Sequence, residues 1–268
     1  MSGLSAIERA CLSRYLILLA ERLGDALVAV RMFGSAARGD MWPAHSPMHS
    51  DIDLLVLTRA EVPAALQEEL GNDTYPLYLE CGRQLSPQFV PIARLTAPRH
   101  DRDREFFAQV TRDGVDVWPA AELRPFSADD DESLIGWFDD PDALRRFGGP
   151  NLRWPLDRAQ LEAIRADPEL RAFTLWAGAA RVGHIELRGL APGHARLARV
   201  GIDPAHRGRG LGRVLLARAL QNARRAGIES FELGVYPDNA VARRLYASFG
   251  FVESDRPDAN GIVTMTRG

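Results

Sequence analysis

The chain opens with apolar residues at helical spacing: Ile7, Cys11, Leu12, Tyr15, Leu16, Leu19 and Leu23 share one face over residues 5–23. Ser5 suits the start of that helix and Gly24 its end. Residues 26–33 read as a buried strand running into Gly34-Ser35, and residues 52–57 as a second strand. Between them lies a polar, Pro- and His-containing loop, residues 36–50. The pattern predicts a helix over 61–70, a third strand over 85–92 that Pro87 and Pro91 weaken, a short helix over 103–112 and a short strand over 115–118. A junction falls at 119–125, and beyond it the pattern restarts. Helices are predicted over 129–138 and 156–165, paired strands over 173–176 and 182–188, and a strand over 197–202. A strongly amphipathic helix over 211–225 follows, then a strand over 230–235, a helix over 240–248 and closing strands over 251–253 and 262–266. The alternation predicts an α/β (α+β) chain of two domains, 1–119 and 120–268, each a mixed sheet with helices.

Composition narrows the class. At 268 residues the chain is long enough for two domains that each bury a core. With 46% hydrophobic and 26% charged residues it has a soluble globular profile. A net charge of -3 supplies no bulk electrostatic reason to bind nucleic acid, although the basic residues are overwhelmingly Arg. The two cysteines, Cys11 and Cys81, stand in unrelated contexts without metal-ligand spacing, which suits a reduced, cytoplasmic protein without structural zinc. No signal peptide and no apolar run of bilayer length is expected. The acidic run Asp129 to Glu132 reads as a solvated helix start.

Two segments carry chemistry. In the first half, Asp51 and Asp53 lie two apart on an apolar strand, so both carboxylates point to one face. Buried carboxylates need a partner, and this pair suits Mg2+ shared with nucleotide phosphates. Gly34-Ser35 before a loop would take the phosphate end of a nucleoside triphosphate, with Arg38 assisting. In the second half, a strand ends at Asp203-Pro204 and the run Arg207-Gly208-Arg209-Gly210-Leu211-Gly212 opens a helix. Glycines admit close approach and positive φ, and first-turn amides with the helix dipole hold a pyrophosphate without a metal. An anion cradle without a carboxylate suits coenzyme A.

That second segment resembles the acetyl-CoA-binding motif of the GNAT N-acetyltransferase superfamily, and the likeness extends through Asn239, Leu245-Tyr246 and Gly250-Phe251, with Leu123-Arg-Pro-Phe-Ser resembling a first strand. The resemblance implies that main-chain groups of Val200 and Ile202 pair with the pantetheine arm. It implies that amides from Arg207 to Arg213 hold the pyrophosphate, and that Asn239 contacts the cofactor or the helix carrying it. Tyr246 would protonate the departing thiolate, since a phenol stays protonated at neutral pH. The general base stays open among Glu186, Glu232 and His184, or is dispensable if the amine arrives neutral. The acceptor, a small-molecule or protein amine, is not legible.

The first half, through Arg31-Met-Phe-Gly-Ser-Ala-Ala-Arg-Gly-Asp and Ser50-Asp-Ile-Asp, resembles the polymerase-beta-type nucleotidyltransferase superfamily, especially its small single-domain members. Two departures stand out. The loop is lengthened by an insertion at 43–49, and the third acidic residue of that superfamily has no counterpart on the strand predicted over 84–92, with Glu80 merely nearby. Three readings follow. One is an acetyltransferase fused to an active nucleotidyltransferase, whose acceptor, a tRNA or a partner protein included, stays open. Another makes the first domain a silent, regulatory or antitoxin-like module. The third is a bifunctional aminoglycoside-modifying enzyme. Oligomeric state is not legible.

Overall fold

The computed structural model describes residues 3–41, 50–254 and 257–268, so the insertion at 43–49 lies outside the described residues. The chain divides into two units, Met1–Ala120 and Ala121–Gly268.

In the first unit, α1 (Ala6–Leu23) begins at a capping box in which the Ser5 hydroxyl accepts from the Glu8 amide and Glu8 accepts from the Ser5 amide. Then come β1 (Leu27–Phe33), α2 (Gly34–Arg38), β2 (Ile52–Thr58), α3 (Ala64–Asn72), α4 (Tyr75–Cys81), β3 (Leu85–Pro91), α5 (Ala93–Thr96), α6 (Asp101–Asp113) and β4 (Val115–Trp118). The sheet order is β3-β2-β1-β4, with β2 parallel to β3 and the other pairs antiparallel. The prolines of β3 sit on an edge strand, where a missing donor is tolerated. Phe107 and Val110 of α6 pack on Ala29, Leu55 and Leu57, while α1 contributes Leu12, Tyr15, Leu16 and Leu19 to the core. With both faces covered, β2 reads as a near-continuous apolar run in which Asp53 stands out, while Asp51, expected on the same strand, lies one residue before it begins.

Two features differ from the sequence reading. Residues 75–81, which Pro76 enters in the first turn, form a helix that the pattern does not predict. Cys11 and Cys81, distant in sequence, meet between α1 and α4: both are buried, and burial with the neighbouring Cys81 pushes the Cys11 thiol up to about 11.

The second unit runs β5 (Glu122–Pro125), α7 (Asp131–Ile135), α8 (Pro141–Gly148), α9 (Arg158–Ala166), β6 (Leu170–Ala177), β7 (Ala180–Ala191), β8 (His194–Ile202), α10 (Leu211–Arg225), β9 (Ser230–Val235), α11 (Ala240–Ser248), β10 (Val252–Glu253) and β11 (Val263–Arg267). Its sheet order is β10-β11-β9-β8-β7-β6-β5. Among the described residues only β8 and β9 of this sheet pair in parallel, which requires a crossover, and α10 supplies it. The apolar stripe of α10 (Leu211, Val214, Leu215, Ala219, Leu220 and Ala223) is buried.

The helix predicted over 129–138 is shorter. It stops at Gly136, and a new helix, α8, starts after the Asp140 cap with Pro141 at its first position. The acidic run is also not solvated throughout. Asp130 accepts from the Ser127 amide, the Thr174 hydroxyl at 3.0 Å and Arg181 Nε at 2.9 Å, and Asp131 pairs with Arg165; both aspartates are buried.

Candidate active sites

The second unit is shaped by a splay. The β8–β9 ladder runs from His194↔Ser230 to Leu197↔Leu233 and stops, although β8 continues to Ile202 and β9 to Val235. Past Leu197 the edge of β8 that faces β9 therefore has no ladder partner among the described residues. A bulge sharpens the divergence: His184 pairs with Gly201 and Glu186 with Ala198, so Arg199 and Val200 together oppose Ile185. Arg199 takes φ 47°, unusual for a residue with a Cβ. Its guanidinium turns inward and pairs with Glu186, which is completely buried and whose Oε1 lies 3.2 Å from His184 Nε2. Next to the bulge, a Cβ on Gly201 would lie 2.9 Å from the Phe147 ring, so a side chain here would push the ring of α8 away from β8.

Two cavities flank the splay. One, of about 770 Å³, is lined by β8 from Val200 to Ile202, by the Arg207, Gly208, Gly210, Leu211 and Gly212 loop, and by Asn239, Leu245 and Tyr246. The other, of about 430 Å³, lies on the β9 side and is lined by Leu197 to Val200, Leu233 to Tyr236 and residues of α8. Val200, Phe147, Asn239 and Tyr246 line both.

The loop has the geometry of an anion cradle. Gly208 and Gly210 adopt φ 77° and 80°, and Gly210 caps α10 in the left-handed region. The amides of Leu211 and Gly212 precede the helix ladder. The cradle is smaller than the sequence implied, because the Arg213 amide already donates to the Gly210 carbonyl at 3.0 Å. Arg207 Nε donates to the Ile202 carbonyl and Arg209 Nη2 to the Ala205 carbonyl, so both side chains brace the loop and Ile202 keeps less free main chain than expected. Asn239 caps α11 through the Ala242 amide at 3.2 Å, fixing the helix that carries Tyr246. Tyr246 is 6% exposed, and burial raises its phenol well above the ordinary value, so the proton stays on at neutral pH.

The candidate bases are not brought to the cleft. Glu186, Glu232 and His184 line neither cavity. Glu186 and His184 belong to the buried cluster with Arg199. Glu232 faces Arg196 Nη1 at 3.5 Å and His194 Nε2 at 3.6 Å.

In the first unit, Asp53 sits in register with Phe33 on β1 and Ser86 on β3. Asp51 accepts from the Ser86 hydroxyl at 3.0 Å. Burial, and then the Asp51 charge, push the Asp53 carboxyl above its ordinary value. Gly34 (φ 68°) lies against this pair, since a Cβ there would stand 2.7 Å from Asp53 Oδ2. Ser35 enters the short α2, and Arg38 pairs with Asp40 at 3.0 Å. The start of β2 is anchored by Arg83, which donates to the Ser50 carbonyl at 2.6 Å and pairs with Glu8 at 2.5 Å. Burial raises the Glu8 carboxyl, but the Arg83 and Ser5 hydrogen bonds outweigh it and hold it below its usual value.

Glu80 is not a third ligand: it sits on α4, paired with Arg14. Among the described residues no group of three His, Cys, Asp or Glu side chains is placed to hold a metal. Asp51 and Asp53 are the two carboxylates brought together here, with the Ser86 hydroxyl on Asp51. The sequence reading missed Ser86, Arg199, Arg196 and α8; the lack of an acidic residue at 85–91 was the one signal available.

The model of the Acetyltransferase (GNAT) family matches residues 95–251, and that of the Nucleotidyltransferase domain matches residues 14–130. The structural division at Ala120 falls where the two matches overlap. Among curated proteins, the chain is 50% identical over 52 residues to a mycothiol acetyltransferase of Beutenbergia cavernae, covering 19% of this chain and 18% of that one. It is 46% identical over 61 residues to an L-methionine sulfoximine/L-methionine sulfone acetyltransferase of Salmonella typhimurium, covering 23% and 36%. The chain thus spans about a fifth to a third of these relatives' length. Among solved structures, spermidine N-acetyltransferase from Vibrio cholerae in complex with CoA and spermine aligns at 21% identity over 55% of this chain and 94% of that one, with a TM-score of 0.47. No helix among the described residues is long and apolar enough to cross a membrane.

Proposed function

Because the chain belongs to the acetyltransferase (GNAT) family, matched over residues 95–251, we propose that it is an acetyl-CoA-dependent N-acetyltransferase of an amine. The observation that carries this reading is the meeting of two cavities at Val200 and Tyr246, one beside the amide cradle and the other open to a second substrate. Acetyl-CoA supplies the acetyl group as a thioester. The amides of Gly208 to Gly212 hold its pyrophosphate, and the unpaired edge of β8 at Val200 hydrogen-bonds its pantetheine arm. Tyr246 delivers a proton from its phenol oxygen to the departing sulfur. No carboxylate or imidazole of the buried cluster lines the cleft, so none of them is needed as a base when the amine enters neutral. Isothermal titration of the full chain with acetyl-CoA should show one site of micromolar affinity or better, and thiol release should require an added amine. Absence of binding would sink the reading.

A second reading concerns the first unit. Ser86 stands on β3 where a third carboxylate would face Asp51 and Asp53. This supports a module that takes Mg2+ and nucleotide phosphates at Asp51, Asp53, Gly34 and Ser35 without transferring a nucleotidyl group. Radiolabelled ATP and GTP with Mg2+ test it: label incorporated by the wild-type chain and lost in Asp53→Ala would refute it.

A further inference from the structure

We propose that the acetyl acceptor is a small amine bearing its own carboxylate or similar anionic group, and that Arg196 is the residue that receives that anion. This rests on the acetyltransferase reading and deepens it. The β9-side cavity, at about 430 Å³, has the size of a small-molecule site and a one-sided charge pattern. Among the described residues four arginines line it (Arg146, Arg188, Arg196 and Arg199) against one carboxylate, Asp258. Asp258 is committed, its Oδ1 accepting the Asn260 and Ile262 amides at 2.8 and 2.9 Å.

The four arginines are not equivalent. Arg199 is locked to buried Glu186, and Arg188 donates to Asp167 at 2.5 Å and approaches Glu169 at 3.4 Å. Arg146 pairs with Asp238 at 3.2 Å, both half-exposed. Among the described residues Arg196 reaches Glu232 at 3.5 Å, a carboxylate that His194 also approaches at 3.6 Å, and it feels the charge of Asp258; neither carboxylate is within good hydrogen-bond distance of it. Its guanidinium lies across β9 at Gly234, where Nη2 is 3.1 Å from the position a Cβ would take. The missing side chain at Gly234 thus gives the guanidinium its place in the cavity. Arg196 presents a planar fork suited to a carboxylate, with Glu232 steadying it from behind.

An anion held at Arg196 leaves the amine of the same molecule to reach the Val200 and Tyr246 wall, where the cavities join. A polyammonium substrate meets the opposite situation: the described lining offers it four guanidinium groups and one carboxylate, Asp258, whose Oδ1 is already bonded. The charge pattern therefore favours an amino-acid-like acceptor over a polyamine or an aminoglycoside.

The test compares L-methionine, L-methioninamide and putrescine as acceptors for the full chain, with acetyl-CoA affinity measured in parallel. The free acid should exceed the amide by roughly 10- to 100-fold in kcat/KM, the range of one charge-assisted pair, and putrescine should trail both. Arg196→Gln should collapse the acid-to-amide ratio toward one while acetyl-CoA still binds. Arg196→Lys should restore part of the ratio. With acetyl-CoA bound, equal use of acid and amide, preference for the diamine, silence toward all three, or an unchanged ratio in Arg196→Gln would overturn the inference. Failure to bind acetyl-CoA would instead overturn the reading beneath it.

Discussion

Glu186→Gln separates a structural carboxylate from a catalytic base. Glutamine keeps the shape and can still meet His184, but it leaves the Arg199 guanidinium buried without a counter-charge. Removing one partner of a buried pair costs about 3–5 kcal/mol. Arg199 also holds a left-handed backbone (φ 47°), a conformation worth about 1–3 kcal/mol that persists only while its surroundings enforce it. Against the ~5–15 kcal/mol of an ordinary domain, the loss is a large fraction. Hydrogen exchange on β7 and β8 should show local protection falling by about that amount, while the sheet of the first unit keeps its protection. The double variant Glu186→Leu/Arg199→Met should recover much of it, because apolar replacement of a buried pair is often near neutral. Acetyl transfer should fall with the bulge in the single variant, with the form of its pH profile unchanged. The structural argument is refuted if Glu186→Gln keeps full protection, loses kcat and also loses the low-pH limb of its rate profile, since that pattern belongs to a general base.

Other outcomes follow from the same geometry. Tyr246→Phe should lower kcat by roughly 10²–10⁴-fold at little cost in acetyl-CoA affinity, measured by thiol release and titration. The wild-type rate should climb with pH as the amine deprotonates, without a fall near the ordinary tyrosine value of about 10, because burial raises the Tyr246 pKa and keeps the acid protonated. Asp53→Asn should raise the thermal midpoint of the first unit at pH 7. The folded-state pKa of Asp53 is raised, so its ionised form is disfavoured in the fold, and stability is lost as pH rises through that window. Mg2+ with nucleotide should stabilise the wild-type chain and not this variant, and an unchanged midpoint would count against the strained carboxylate pair. Glu8 has the opposite sign: its folded-state pKa is lowered, so its contribution is present above the usual carboxylate value and is lost as acid titrates it, and Arg83→Ala should remove that acid-sensitive part of an unfolding curve.

What the sequence determined by itself was local. Helix α1 with its Ser5 cap, the glycine loop entering α10, β9 and α11 follow from relations a few residues apart: periodicity, capping and positive-φ glycine. The nearness of Asp51 and Asp53 was legible for the same reason, although β2 begins only at Ile52 and Asp51 precedes it. Tertiary structure decided what depends on which strands become neighbours. Ser86 is thirty-five residues from Asp51 in sequence and acquires meaning only because β3 lies parallel to β2 in that register. Arg199 gains its role only where the bulge turns it toward Glu186, and Arg196 lies beside the bare backbone of Gly234. The same pairing sets Glu186 in a buried cluster with His184 and Arg199, lining neither cavity. Periodicity fixes the face a side chain takes, but long-range register selects its partner, and the partner decides whether a charge is chemistry or architecture.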